Sequence, residues 1–284
     1  MGIQTTIETL RPSLTPAARR IADAIRDNPA IVLDMTISQI ANACGTSVAS
    51  VVRFCRALGV GGYPQLRMSL AAELARESAQ FGAGLTLGAE MARTDTLEEM
   101  ASKVASLEML AIEETVSSLD FNALRRVVRA LEKAQRILLF GIGASHFVAQ
   151  DLHHKLFRVG RDAFLMSDAH EAWTAALLSP RQTVAIGFSH SGTTADTVRF
   201  LHLAHENGAL TVAITGAARS ALARAADECL VAHARESALR AGAMVSRIAQ
   251  LAIVDCVFLG LARLNYDQTI DALRRTRDVT HPRR

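Results

Sequence analysis

The densest concentration of groups able to hold an anion is the run Phe188-Ser189-His190-Ser191-Gly192-Thr193-Thr194. Four hydroxyls, on Ser189, Ser191, Thr193 and Thr194, gather around one glycine. The apolar run Val184–Phe188 precedes them and a helical pattern, Thr194–Asn207, follows, so the segment reads as a strand-to-helix turn. Gly192 lets the backbone approach a ligand closely. The helix start aims free N–H groups and a positive dipole end at the same point. Hydroxyls combined with helix-end amides make a phosphate site without lysine. A second turn of this kind is Phe140-Gly141-Ile142-Gly143-Ala144-Ser145. His146 stands where a dinucleotide fingerprint has its third glycine, so this loop alone is a weak signal. Both turns fall at the carboxyl ends of strands, where open parallel sheets bind ligands, and they can face one ligand.

A different chemistry is suggested between Ile37 and Gly59, which reads as two short helices joined by a tight turn. Ala41 is small where the helices must approach, and Gly45 suits a left-handed turn position. Thr46 or Ser47 can cap the second helix. Val48, Val51, Phe54, Cys55 and Leu58 recur at three- and four-residue spacing and are assigned to its buried side. Ser47, Ala49, Ser50, Arg53 and Arg56 are expected to face away, where small residues let a helix enter a major groove and Arg53 reach a base edge or phosphate. Arg67, Arg11, Arg19 and Arg20 are candidates for phosphate contacts nearby.

Catalytic and metal chemistry find less support. Candidate general bases are His153, His154, His170, Glu171 and Glu236, none of them in a catalytic motif. Glu171 near a helix start is favourable to the dipole, and Glu236, after the last strand, can approach a bound ligand's hydroxyls. No H-E-x-x-H or metal-ligand cluster appears, and no cofactor is expected. Cys44, Cys55, Cys229 and Cys256 form no C-x-x-C pair and read as buried free thiols of a reducing cytosol. With 31 Lys+Arg against 28 Asp+Glu, a DNA partner must be met by locally placed charge. No signal-peptide pattern is seen, and the apolar stretch Leu251–Ala262, interrupted by Asp255, is too short to span a bilayer, so a soluble cytoplasmic protein is expected.

These residues need elements to hold them. Residues 1–78 read as all-α: Thr15-Pro16 is a helix start, Asn28-Pro29 a stop, and Thr36-Ile-Ser-Gln39 a capping box. Gly82, Gly84 and Gly88 mark a linker, and 79–105 is assigned to that linker and the start of a connecting helix. From 106 to 284 a second domain is expected. Its runs Ile137–Phe140, Ala163–Met166, Val184–Phe188, Thr211–Ile214 and Cys229–Ala232 alternate with helical stretches, which predicts a central parallel sheet flanked by helices. Ser246–Leu264 reads as one long apolar helix.

The stretches Leu14–Ala22, Thr36–Ala41, Ser50–Gly59 and Gly62-Tyr63-Pro64 resemble the helix-turn-helix domain of RpiR-type regulators. Gly141–Ser145, Ser189–Thr194 and Ser246–Asp255 resemble the sugar isomerase (SIS) domain. The resemblance covers most of the chain. It implies a DNA-binding regulator of carbohydrate genes whose operator affinity responds to a phosphorylated sugar, rather than an isomerase or lyase on the same fold. It also implies that positions matching Ser145, Ser189, Ser191 and Thr194 hold the sugar phosphate and nearby hydroxyls, with His190 where a smaller or amide residue is usual. The implied assembly is a homodimer or homotetramer through the SIS domain, matched to double-stranded operator DNA.

Overall fold

The computed structural model describes residues 2–81, 95–235 and 243–280. They form two compact units, Met1–Ser117 with His233–Val245, and Ser118–Ala232 with Ser246–Arg284. The division therefore falls after Ser117, twelve residues beyond the last position assigned to the linker and connecting helix (117 − 105). It also returns a later segment to the first unit. The glycines at 82, 84 and 88, and Glu236, lie outside the described residues.

The first unit is helical: α1 (Ile3–Leu10), a single 3₁₀ turn (Arg11–Ser13), α2 (Pro16–Asp27), α3 (Ile31–Asp34), α4 (Ile37–Ala43), α5 (Val48–Ala57), α6 (Tyr63–Phe81) and α7 (Leu97–Ser117). Local chemistry sets the starts. The Thr15 hydroxyl accepts from Ala18 N at 3.4 Å, with Pro16 in the first turn where its missing N–H is harmless. Thr36 and Gln39 cap each other: Gln39 N donates to Thr36 Oγ1 at 3.3 Å and Thr36 N donates to Gln39 Oε1 at 2.8 Å. α4 ends in left-handed Gly45, φ +57°, where Thr46 N donates to Ala41 O and Gly45 N to Asn42 O, the paired bonds of a glycine-terminated helix. Ile7, Ile21, Ile25, Ile40, Val51, Phe54, Leu66 and Leu70 form the core that fixes α4 against α5.

The second unit contains α8 (Phe121–Lys133), β1 (Arg136–Gly141), α9 (Ala144–Arg158), β2 (Ala163–Leu165), α10 (Ala169–Leu177), β3 (Thr183–Phe188), α11 (Ala195–Glu206), β4 (Leu210–Thr215), α12 (Ala221–Arg224), β5 (Glu228–Val231), α13 (Met244–Leu264) from Ser246 onward, and α14 (Tyr266–Thr280). All strand pairs are parallel, in the order β2-β1-β3-β4-β5. Helices cover both faces, which is why β3 is buried at every position and reads as a continuous apolar run. Leu138, Phe140, Ala185 and Ala213 pack against α10, α11 and α12. β1 connects leftward to β2 while β3 connects rightward to β4, so the strand order reverses between β1 and β3, where doubly wound sheets open a crevice at their carboxyl ends. α13 is longer than the stretch 251–262 singled out by composition, and by length and composition alone could cross a membrane. Ala249, Ile253, Val254, Val257 and Leu261 are nonetheless buried within the protein, as in a core helix.

Candidate functional site

The β3–α11 turn closes on itself through its hydroxyls. Ser189, only 3% exposed, forms the floor. Its Oγ lies 2.9 Å from Thr194 Oγ1 and 3.4 Å from Ser191 Oγ, and accepts from Gly192 N at 3.2 Å. Ser191 and Thr193 are exposed above it, with Thr193 Oγ1 donating to Ser191 Oγ at 3.1 Å and Thr193 N to the same oxygen at 3.3 Å. Gly192 has φ +64°, and a Cβ there would stand 2.1 Å from Ser220 Oγ and 2.7 Å from Thr215 Oγ1. Both conformation and crowding therefore demand glycine. Leu222 N donates to Gly192 O at 2.9 Å and ties the turn to α12. Because the Thr194 hydroxyl bonds Ser189, α11 begins without a side-chain cap, leaving its first-turn amides and dipole directed at the hydroxyl cluster.

The β1–α9 turn repeats the arrangement. Gly143, φ +61°, precedes α9, which also lacks a side-chain cap. Ser145 in its first turn is 8% exposed. The register pairs Gly141 with Phe188, so the two turns leave neighbouring strands at the same edge of the sheet, on either side of the switch point. Two uncapped helix starts and a hydroxyl cluster at one edge suit a phosphate, which accepts from both amides and hydroxyls. No lysine or arginine stands in either turn.

Other residues expected at this site have different surroundings. The His190 carbonyl accepts from Gly216 N at 2.8 Å and from Thr215 Oγ1 at 3.3 Å, and its ring lies against Gly216, where a Cβ would fall 2.3 Å from Cε1. Among the possible bases, Glu171 Oε2 accepts from both Ser167 N and Ser167 Oγ at 2.8 Å, closing the start of α10. His153 stacks on Phe157 and meets His154 edge-on, and burial holds its pKa below the ordinary value. Thr197 was not foreseen. It lies in the first turn of α11, is fully buried, and its Oγ1 has no hydrogen-bond partner among the described residues. Its place three residues after Thr194 is the only trace it leaves in the sequence.

In the first unit, Val48, Ala49, Arg53, Arg56 and Ala57 form the exposed side of α5. This corrects two expectations. Val48 is 41% exposed, because the first residue of α5 extends past the edge of the core that buries Val51 and Phe54. Ser50 is 7% exposed and points inward, with its N–H donating to the capping Ser47 Oγ at 3.2 Å. Its own Oγ accepts from Arg53 Nη2 at 3.0 Å and tethers that guanidinium. Ser47 and Arg67 are exposed and Thr46 half-buried. Arg20 donates to Cys44 O at 2.9 Å and Gly45 O at 2.8 Å, capping the end of α4, while Arg11 pairs with Asp23 at 2.6 Å and Arg19 donates to Leu14 O at 3.3 Å. Three of the arginines expected to meet phosphates thus also hold the helices together.

Comparison with known proteins finds two families along the chain. The helix-turn-helix domain of the rpiR family matches residues 1–77, and the SIS domain matches residues 130–260. An uncharacterized HTH-type transcriptional regulator of Caldanaerobacter subterraneus subsp. tengcongensis is 34% identical over 98% of this chain and 96% of its own. One from Haemophilus influenzae is 34% identical over 96% of this chain and 94% of its own. The solved structure of the Vibrio vulnificus NanR protein complexed with ManNAc-6P aligns with a TM-score of 0.62 at 27% identity, over 99% of this chain and 98% of that one.

Proposed function

The chain belongs to the rpiR family of helix-turn-helix transcriptional regulators carrying a SIS domain, and we propose that a phosphorylated sugar held at the β1 and β3 ends alters its affinity for operator DNA. The observation that carries the reading is the pair of uncapped helix starts beside the Ser189–Thr194 hydroxyls. Gly143 admits the ligand to the backbone, Gly192 lets the hydroxyl turn pack on Ser220 and Thr215, and Ser145, Ser189, Ser191, Thr193 and Thr194 bind its phosphate and hydroxyls. The structural relative that holds ManNAc-6P supports a ligand of this class. The sugar is sensed and not converted: Glu171 is committed to a helix start, and the relatives are named as regulators.

Operator DNA is read by α5, with Arg53 at a base edge and Thr46, Ser47, Arg56 and Arg67 on the backbone. Two copies associate through the SIS domain as a homodimer, or four as a homotetramer. Phe157, Leu259 and Tyr266, exposed by 70%, 64% and 65%, supply apolar surface for that contact. A two-fold assembly matches a palindromic operator. The DNA partner places the protein in the cytoplasm.

A thermal-shift screen of sugar phosphates, ManNAc-6P included, tests the effector. A compound at 100 times its Kd adds about 2.7 kcal/mol to the stability of the second unit, a rise in Tm of roughly 5–10 °C for a unit of this size. A panel with no stabilising member contradicts the reading, and turnover of a stabilising compound favours an isomerase. For the DNA site, Arg53→Ala removes about 1–3 kcal/mol of discrimination at one base pair while leaving the fold intact. Selectivity equal to wild type in competition binding would move recognition off α5.

A further inference from the structure

Trp173, the chain's one tryptophan, stands half-buried on α10. Its indole Nε1–H donates to the carbonyl of Asp196 at 3.1 Å. Asp196 is the second residue of α11, so this bond reaches the turn whose amides face the hydroxyl cluster. The guanidinium of Arg199, three residues further along α11, lies over the indole face at 4.1 Å from the ring centroid. His170 meets the ring edge-on at 5.3 Å. The indole is thus held on its face and at its edge, with its one donor fixed on the start of α11.

Helix-end amides bind phosphate well only within a few tenths of an ångström of 2.9 Å, so the group that fixes the first turn governs the affinity. α11 lacks a side-chain cap, and the residues that could have capped it are engaged with one another. Trp173 supplies from outside the helix the restraint that a cap would give from within. We propose that Trp173, clamped by Arg199, is a positioning residue for the effector: it touches no ligand, but sets where the first turn of α11 meets the phosphate. The inference rests on the β3–α11 turn being the phosphate site. It also makes Trp173 a built-in reporter, because an anion arriving at that turn changes the field at the carbonyl bonded to the indole.

The test titrates the full chain with ManNAc-6P and with inorganic phosphate, following tryptophan emission alongside calorimetric Kd. Saturation shifts the emission of the wild type. Trp173→Phe keeps the ring but loses the donor, and binds about threefold to tenfold more weakly. Arg199→Met frees the indole, shifts the emission of the unliganded protein and weakens binding by a smaller factor. Wild-type affinity in Trp173→Phe overturns the inference. So does saturable calorimetric binding that leaves wild-type emission unchanged, a measurement that stands even if a variant misfolds. Failure of both probes to bind the wild type by calorimetry overturns the phosphate-site reading and this inference with it, a result distinct from binding without a tryptophan response.

Discussion

Replacing Arg235 with methionine lowers the stability of the first unit by about 3–5 kcal/mol, the penalty for removing one partner of a buried ionic cluster. The Arg235 side chain is 10% exposed. Its guanidinium pairs with Glu73 at 2.7 Å, with Glu77 at 2.5 Å and with Glu114, while its Nε donates to Thr5 Oγ1 at 3.0 Å. Glu73 also accepts from Ile3 N at 2.6 Å. Methionine fills the space but leaves three carboxylates, each 9% exposed, without their shared cation. Burial holds the Glu73 carboxyl above its ordinary pKa, and Arg235 opposes that rise. An acid whose pKa is raised on folding binds its proton more tightly in the folded state, so its contribution is present at low pH and is lost as pH rises through the folded value. Removing Arg235 raises Glu73 further, so the deficit is largest near neutrality and narrows as pH falls towards the carboxylate range. Urea melts at neutral and at mildly acid pH measure this. A deficit below about 1 kcal/mol, or one that does not change with pH, would show that the cluster is not a structural latch.

Ser189→Ala combined with Ser191→Ala is expected to abolish the response to phosphosugar while leaving DNA binding without ligand unchanged. Each hydroxyl given up to an anionic acceptor is worth about 1.5–3 kcal/mol, so affinity falls on the order of 100-fold to 10,000-fold. The loss includes a local part, because Ser189 Oγ also serves Thr194 and Gly192 N. The hydroxyls lie in the second unit and α5 in the first, which is why operator affinity alone should survive. An unchanged half-maximal phosphosugar concentration in a DNA-release assay would remove these serines from the site.

The strands were legible because both faces of the sheet are covered: apolar runs such as 184–188 show no alternation and end where the glycine and serine turns begin. Helix starts at Thr15 and Thr36 were legible because capping is local chemistry. Strand order was not, since repeated strand–helix units are compatible with several orders, and the reversal between β1 and β3 emerges only from pairing. Helical spacing placed Val48 with the buried residues and Ser50 outside. It records direction around an axis, but not where the core stops along it. Arg235 left no signal at all, because the three acids it joins are 121 to 162 positions away in the chain (235 − 114 and 235 − 73). The Trp173 bond to Asp196 is hidden for the same reason, spanning two helices. α14 carries too polar a sequence to announce a packed face.

The central claim is that phosphosugar occupancy and operator affinity are linked, and fluorescence anisotropy of a labelled duplex, selected from genomic fragments and titrated at fixed salt, measures that directly. A saturating sugar phosphate that stabilises the protein should change the duplex Kd by about 5-fold to 150-fold, and the duplex should change the sugar's Kd by the same factor. A duplex Kd that stays the same with every stabilising sugar phosphate would contradict the account.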